Sequence, residues 1–239
     1  MLIATQGIVL HTIPYSETSV IVKVFTERLG VRSYILKGIR KRGSRVKQGI
    51  LKPLAWLDLV VYENPHANIN YVKEITPANI GFAENDEVRN ALLFFMDELL
   101  YRTLQEGEPM PKLFEYVTCQ LKKLADAPPS PSLPIAYLIS VARLLGIAPL
   151  DNYSARESCF CIADGRFVSP LQESADIVDE TCSAALHEYL SAVYFDTKMP
   201  IHNAVTRTSL MKHLIDYYKF HINYFGDFTS HEILHSILA

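Results

Sequence analysis

Ser19-Val20-Ile21-Val22-Lys23-Val24-Phe25-Thr26, then Glu27-Arg28-Leu29-Gly30, then Val31-Arg32-Ser33-Tyr34-Ile35-Leu36, is the stretch that decides the fold. The first run is rich in β-branched and aromatic residues, which pack well on a pleated surface. Gly30 supplies the turn after it. The second run sets Val31, Ser33 and Ile35 against Arg32, Tyr34 and Leu36, the two faces of a strand. Upstream, residues 5–13 form a short apolar run that ends at Pro14, and downstream residues 53–62 and 69–75 read as two more strands. Asn64-Pro65-His66-Ala67-Asn68 is a plain turn between those two. Five short strands with one long connection in the middle fit a small, partly open barrel of the OB-fold type over residues 1–80.

From residue 81 the period becomes helical. Asn85 can cap a helix whose first turn holds Asp86 and Glu87, with Val88, Leu92, Phe95 and Leu99 on one stripe. Leu113, Val117, Leu121 and Leu124 mark a second helix, Pro128-Pro129-Ser130-Pro131 a rigid break, and residues 133–145 a third helix with Gly146 as its C-cap. Leu186, Tyr189, Leu190 and Val193 mark a fourth; Leu210, Leu214, Tyr217, His221 and Phe225 a fifth, ended by Gly226. Residues 151–179 form an irregular insert with a candidate strand at 159–168. The fold class expected is therefore α+β: a barrel domain over 1–80, then a helical domain over 81–239 that carries the small insert.

Charge divides the same way. Residues 1–80 hold eleven Lys and Arg against five Asp and Glu, a surplus of six positive charges, while the whole chain carries −3. The remainder therefore carries −9, and such a split points to two domains with different partners. Residues 28–57 contain nine basic residues and no acid, densest at Lys37-Gly38-Ile39-Arg40-Lys41-Arg42-Gly43-Ser44-Arg45-Val46-Lys47. Each Lys or Arg that meets a phosphate releases a condensed counterion, so such a run binds nucleic acid by number of contacts. Lys37, Arg40, Lys41, Arg42, Arg45 and Lys47 are the candidate contacts, with Tyr15, Tyr34 and Trp56 as candidate stacking surfaces. The plain alternative is a solvated loop that only aids solubility; the position between barrel strands, where such folds bind nucleic acid, favours the functional reading.

Catalytic signals are weak. His231-Glu232-Ile233-Leu234-His235 matches the H-E-x-x-H zinc-protease pattern, but it sits in a short terminal helix with no third ligand after it, and reads better as a polar helix packed by Ile233, Leu234 and Ile237. Cys159-Phe160-Cys161 is one residue too tight for a structural zinc pair and lacks a second pair, although Cys182 and His187 are one helical turn apart. Those cysteines read as small buried hydrophobes, and Cys119 as core. No phosphate-binding glycine loop and no nucleophile elbow is present. No enzyme activity, no cofactor and no metal are expected. The apolar stretch 133–150 is bracketed by prolines and carries Arg143, so it reads as a core helix rather than a membrane span. The N-terminus does not read as a signal peptide, and four cysteines without an export signal suggest a cytoplasmic chain.

Several runs together resemble the family of the DNA repair protein RecO. They are Gly7-Ile8-Val9-Leu10, Tyr15-Ser16-Glu17-Thr18-Ser19, Val22-Lys23-Val24-Phe25-Thr26, Gly30, and the basic Lys37-Gly38-Ile39-Arg40-Lys41; Val141-Ala142-Arg143-Leu144-Leu145-Gly146-Ile147-Ala148-Pro149 resembles the family's central helix and the turn after it. The resemblance is densest over about the first 75 residues. It implies an N-terminal OB-fold and a helical C-terminal domain with a degenerate zinc-finger-like insert. It also implies a recombination mediator that binds single- and double-stranded DNA, anneals complementary strands, engages the tail of single-stranded-DNA-binding protein, and works with RecR to load RecA. Many members carry two C-x-x-C pairs where this chain holds Cys159, Cys161 and Cys182, and many end on a basic segment where this chain has Gly226-Asp227-Phe228-Thr229-Ser230-His231. Within the acidic half, Lys212 and Lys219 among Tyr217, Tyr218 and Phe220, on a helix over 208–225, are the candidate site for an acidic, hydrophobic-tipped partner tail. The rival reading is an RNA-binding or translation-associated barrel, because phosphate contacts carry no information on sugar or sequence.

Overall fold

The computed structural model describes residues 1–39, 41, 48–64, 66–78, 86–172 and 174–238. Five strands close into a barrel: β1 (Leu2–Pro14), β2 (Val20–Thr26), β3 (Gly30–Leu36), β4 (Trp56–Tyr62) and β5 (Asn70–Pro77). Their order around the barrel is β1-β2-β3-β5-β4, with β1 paired to β4 and the single parallel pairing between β3 and β5. This is the OB-like layout expected over the first 80 residues.

Alternation explains the closure. Ile3, Val9, Val22, Val24, Tyr34, Leu57, Leu59 and Val61 point inward and form one buried cluster. Gly7 is small because it must be. A Cβ there would lie 2.6 Å from Val24 Cγ1 and 2.9 Å from a Leu59 methyl. The strand expected to begin at residue 53 begins instead at Trp56, because Leu54 adopts a left-handed φ of 56° that no strand accommodates. Its amide instead donates to Val9 O at 2.8 Å.

The helices are α1 (Glu87–Thr103), α2 (Pro111–Asp126), α3 (Leu133–Leu144), α4 (Glu180–Tyr194), α5 (Ala204–His221) and α6 (Ser230–Leu238). The Asn85 cap lies outside the described residues. Residues 151–179 contain the hairpin of β6 (Cys159–Cys161) and β7 (Arg166–Val168). Helix α5 stops four residues before Phe225. Ile222 is already extended and Tyr224 takes a φ of 61°, so Phe225 reaches the core from the following turn, stacked on Tyr218 at 5.5 Å. Asp179 and Asn203 cap α4 and α5, each accepting an amide hydrogen bond at 2.9 Å.

Two compact units result, one of residues 1–86 with 96–127, the other of 87–95 with 128–239. In the first, a row of residues on the outside of the barrel is paired strand to strand, Trp56 to Ile8, Ile8 to Phe25, Phe25 to Val31. Helix α2 covers that row. Phe114 meets Phe25 edge-on at 5.5 Å, and the Lys122 ammonium lies 5.2 Å above Trp56. In the second unit, α3, α4 and α5 pack on one another, and Tyr218 donates from this core to Leu138 O at 2.7 Å. No described helix is long and apolar enough to cross a membrane.

Candidate nucleic-acid interface

The basic segment leaves the barrel at the end of β3. Lys37 is exposed, Gly38 turns the chain with a φ of 73°, and the Lys41 amide closes that turn on Gly38 O at 3.1 Å. Between them Ile39 drops into the barrel core, 5% exposed. On the far side a short 3-10 helix, Gln48–Leu51, returns Leu51 to the same core. The basic run is thus pinned at both ends by an apolar anchor, while Lys37 and Lys41 face solvent. Arg40, Arg42, Arg45 and Lys47 lie outside the described residues.

Other cations of the same half are engaged elsewhere. The Arg28 guanidinium donates to Ala4 O at 2.9 Å. Arg32 pairs with Glu63 at 3.2 Å and donates to Gly107 O at 2.9 Å. Both hold the barrel unit together. Lys52 remains exposed at the end of the segment.

The aromatics sort differently from the sequence expectation. Tyr15 is exposed. Tyr34 is fully buried inside the barrel, its hydroxyl unpartnered and its pKa pushed up by burial, so it offers no stacking face. Trp56 is half-buried with Lys122 over its ring. The residue that sequence reading missed is Tyr71. Parallel pairing of Ile35 with Tyr71 brings β5 beside the end of β3, and there the Lys37 ammonium lies 4.6 Å from the centre of the exposed Tyr71 ring. Tyr71 also pairs directly with Tyr62 on β4, likewise exposed, so the two rings share one face. The signal was the phase of β5, which buries Asn70 and turns Tyr71 outward. An exposed aromatic pair beside a cation is the composition of a stacking platform for single strands.

In the second unit Lys212 and Lys219 are exposed on α5. Asp216 pairs with Lys219 at 2.9 Å. Tyr217 and Tyr218 are core residues, their hydroxyls given to Ile147 O and Leu138 O, which leaves Phe220 as the exposed ring beside the two lysines. His187 is held by Asp151 at 2.6 Å, and Cys119 is exposed rather than core. In α6, Leu234 is buried and Ile233 exposed, while the His235 side chain lies outside the described residues.

Residues 1–80 match the family model described as Recombination protein O N terminal, and residues 84–224 match the one described as Recombination protein O C terminal. The chain belongs to the recombination protein O family. Relatives named DNA repair protein RecO run the whole length of it. That of Porphyromonas gingivalis is 26% identical over 99% of each chain. Those of Phocaeicola vulgatus, 26% identical over 100% of each, and Bacteroides fragilis, 27% identical over 98% of each, are similar. Within this recombination protein O chain, the anchored basic segment and the Tyr62–Tyr71 face both belong to the part matched by the N-terminal model.

Proposed function

We propose that this chain is a non-catalytic, cytoplasmic mediator of recombinational DNA repair that binds single- and double-stranded DNA through residues 37–47 and anneals complementary strands. Membership of the recombination protein O family supports the repair and recombination role. The observation that carries the DNA reading is the basic run anchored by Ile39 and Leu51, next to Tyr71 and Tyr62. Phosphates meet about five of Lys37, Arg40, Lys41, Arg42, Arg45 and Lys47, because three consecutive side chains cannot all reach one strand, and bases of an open strand stack on the two tyrosines. Binding of this kind is indifferent to sequence, as annealing of arbitrary complements requires.

In this reading the chain acts with RecR on DNA coated by single-stranded-DNA-binding protein and helps RecA to load. The acidic tail of the coating protein docks beside Lys212, Lys219 and Phe220 on α5. Unchanged tail-peptide binding after Lys212→Glu and Lys219→Glu would move that docking site elsewhere.

The deciding experiment is annealing of complementary DNA strands coated with single-stranded-DNA-binding protein. A mediator accelerates it, and the Arg40→Ala, Lys41→Ala, Arg42→Ala protein does not. Failure of the unaltered protein to accelerate annealing, with RNA bound as tightly as DNA, would give the RNA-binding reading instead.

A further inference from the structure

The zinc that the family resemblance implies, held on two cysteine pairs, does not fit this chain. Cys159 and Cys161 are buried on β6, and no second pair accompanies them. Among the described residues, the cluster of three close ligating groups is a different one, Asp179, Cys182 and His213, and it leaves both β6 cysteines out. Its three ligand atoms lie within 4.8 Å of one another.

We propose that Asp179, Cys182 and His213 form a divalent-metal site of the zinc class, which fastens the first turn of α4 to the middle of α5. The donor set is a carboxylate, a thiolate and an imidazole, the three side-chain types that zinc takes. Zinc bonds of about 2.0–2.3 Å set tetrahedral ligand atoms roughly 3.3–3.7 Å apart. The observed spacing closes to that with a shift of about 1 Å, within the reach of side-chain rotation.

Two of the three groups are already positioned. Asp179 is the N-cap of α4, its Oδ1 accepting the Cys182 amide at 2.9 Å, and its carboxylate is also hydrogen-bonded to the Cys182 thiol, so the two side chains already face one another. Ser209, one turn before His213, touches both remaining ligands: its hydroxyl is hydrogen-bonded to the Cys182 thiol and lies 3.4 Å from His213 Nε2. Outer-shell groups of this sort orient metal ligands. Asp179 is exposed, which gives the ion an entry path, and three protein ligands leave the fourth position to water. Binding expels the Cys182 proton to solvent, so one proton is released per metal bound.

The test uses the full-length chain without an affinity tag, stripped of metal and titrated with Co(II), then with Zn(II) in competition. One equivalent of cobalt should produce thiolate-to-cobalt absorption in the near ultraviolet, abolished by zinc. Cys182→Ser should remove the band. His213→Ala and Asp179→Asn should each weaken zinc at least tenfold; asparagine still caps a helix, so the second variant separates ligation from folding. The double variants Cys159→Ser, Cys161→Ser and His231→Ala, His235→Ala should keep the band. Absence of the band at one equivalent, its survival in Cys182→Ser, or its loss in Cys159→Ser, Cys161→Ser would overturn the proposal.

Discussion

The Lys37 ammonium lies over the Tyr71 ring because β3 and β5 run parallel just where β3 ends. Residues 34 apart in sequence thereby present one cation and one π-face side by side. Tyr71→Ala should lower affinity for single strands by about 1–3 kcal/mol, the usual worth of one stacked base, and leave duplex affinity nearly unchanged. Fluorescence anisotropy with oligonucleotides of both kinds checks this. Equal losses on both would mean that Tyr71 serves the fold and not the strand.

Phosphate contacts are read from salt. Five or so contacts along 37–47 imply a log–log salt slope of about −3.5 on single strands and about −4.5 on duplex. Arg40→Ala, Lys41→Ala, Arg42→Ala should flatten the slope by roughly 0.7–0.9 for each contact removed, for all sequences alike. A folded triple variant with the parent slope would dismiss this segment as the contact site.

Asp97 sets a pH dependence of a less usual sign. It is 8% exposed, its Oδ1 has no hydrogen-bond partner, and burial pushes its carboxyl up to about 8. The folded chain therefore keeps a proton that the unfolded chain releases near pH 4. Stability from this group is complete below about pH 4, falls as pH rises toward 8, and levels off above, with a slope of at most about 1.4 kcal/mol per pH unit. Asp97→Asn should remove that slope. Urea denaturation of both proteins at pH 5, 6.5 and 8 measures it, and parallel curves would show that Asp97 is ionised in the fold.

Gly30 is irreplaceable for two reasons at once. Its φ of 70° suits glycine, and a Cβ there would lie 2.4 Å from Gly107 O and 2.7 Å from Glu108 O. The left-handed conformation alone costs an alanine about 1–2 kcal/mol, and backbone atoms cannot swing aside as a side chain can. Gly30→Ala should thus destabilise by at least about 2 kcal/mol, lowering the melting temperature by roughly 4–8 °C. A shift under 1 °C would mean that the 105–108 segment yields freely.

The strands and most helices were legible because alternation and the 3.6-residue period report burial directly. Val22, Val24 and Leu59 alternate into the barrel core from strands that the run of β-branched and aromatic residues marks out. What the pattern could not give is which strand lies beside which. Tyr34 looked available beside a basic run, yet its phase takes it inside the barrel; Tyr71, far away in sequence, is the ring that Lys37 meets. The cluster of Asp179, Cys182 and His213 was hidden for the same reason, since Cys182 and His213 are on different helices and sequence spacing favoured His187, which Asp151 holds instead. Phe225 and Leu54 misled for a local reason. Positive φ at Tyr224 and Leu54 breaks elements at residues whose type gives no warning.

The cover that α2 lays over the barrel has a consequence for synthesis. The last barrel strand ends at Pro77, but Phe25 and Trp56 receive Phe114 and Lys122 only after some forty more residues are made. At about 5–20 residues per second, a ribosome leaves Phe25 and Trp56 without those partners for roughly 2–9 seconds. During that interval the nascent chain displays an apolar stripe on a nearly finished barrel, a natural landing place for a chaperone near the tunnel exit. A ribosomal pause that holds the chain after β5 has left the tunnel and before α2 has would lengthen the exposure and lower the yield of folded protein, whereas the same pause once α2 has emerged would be harmless to the barrel.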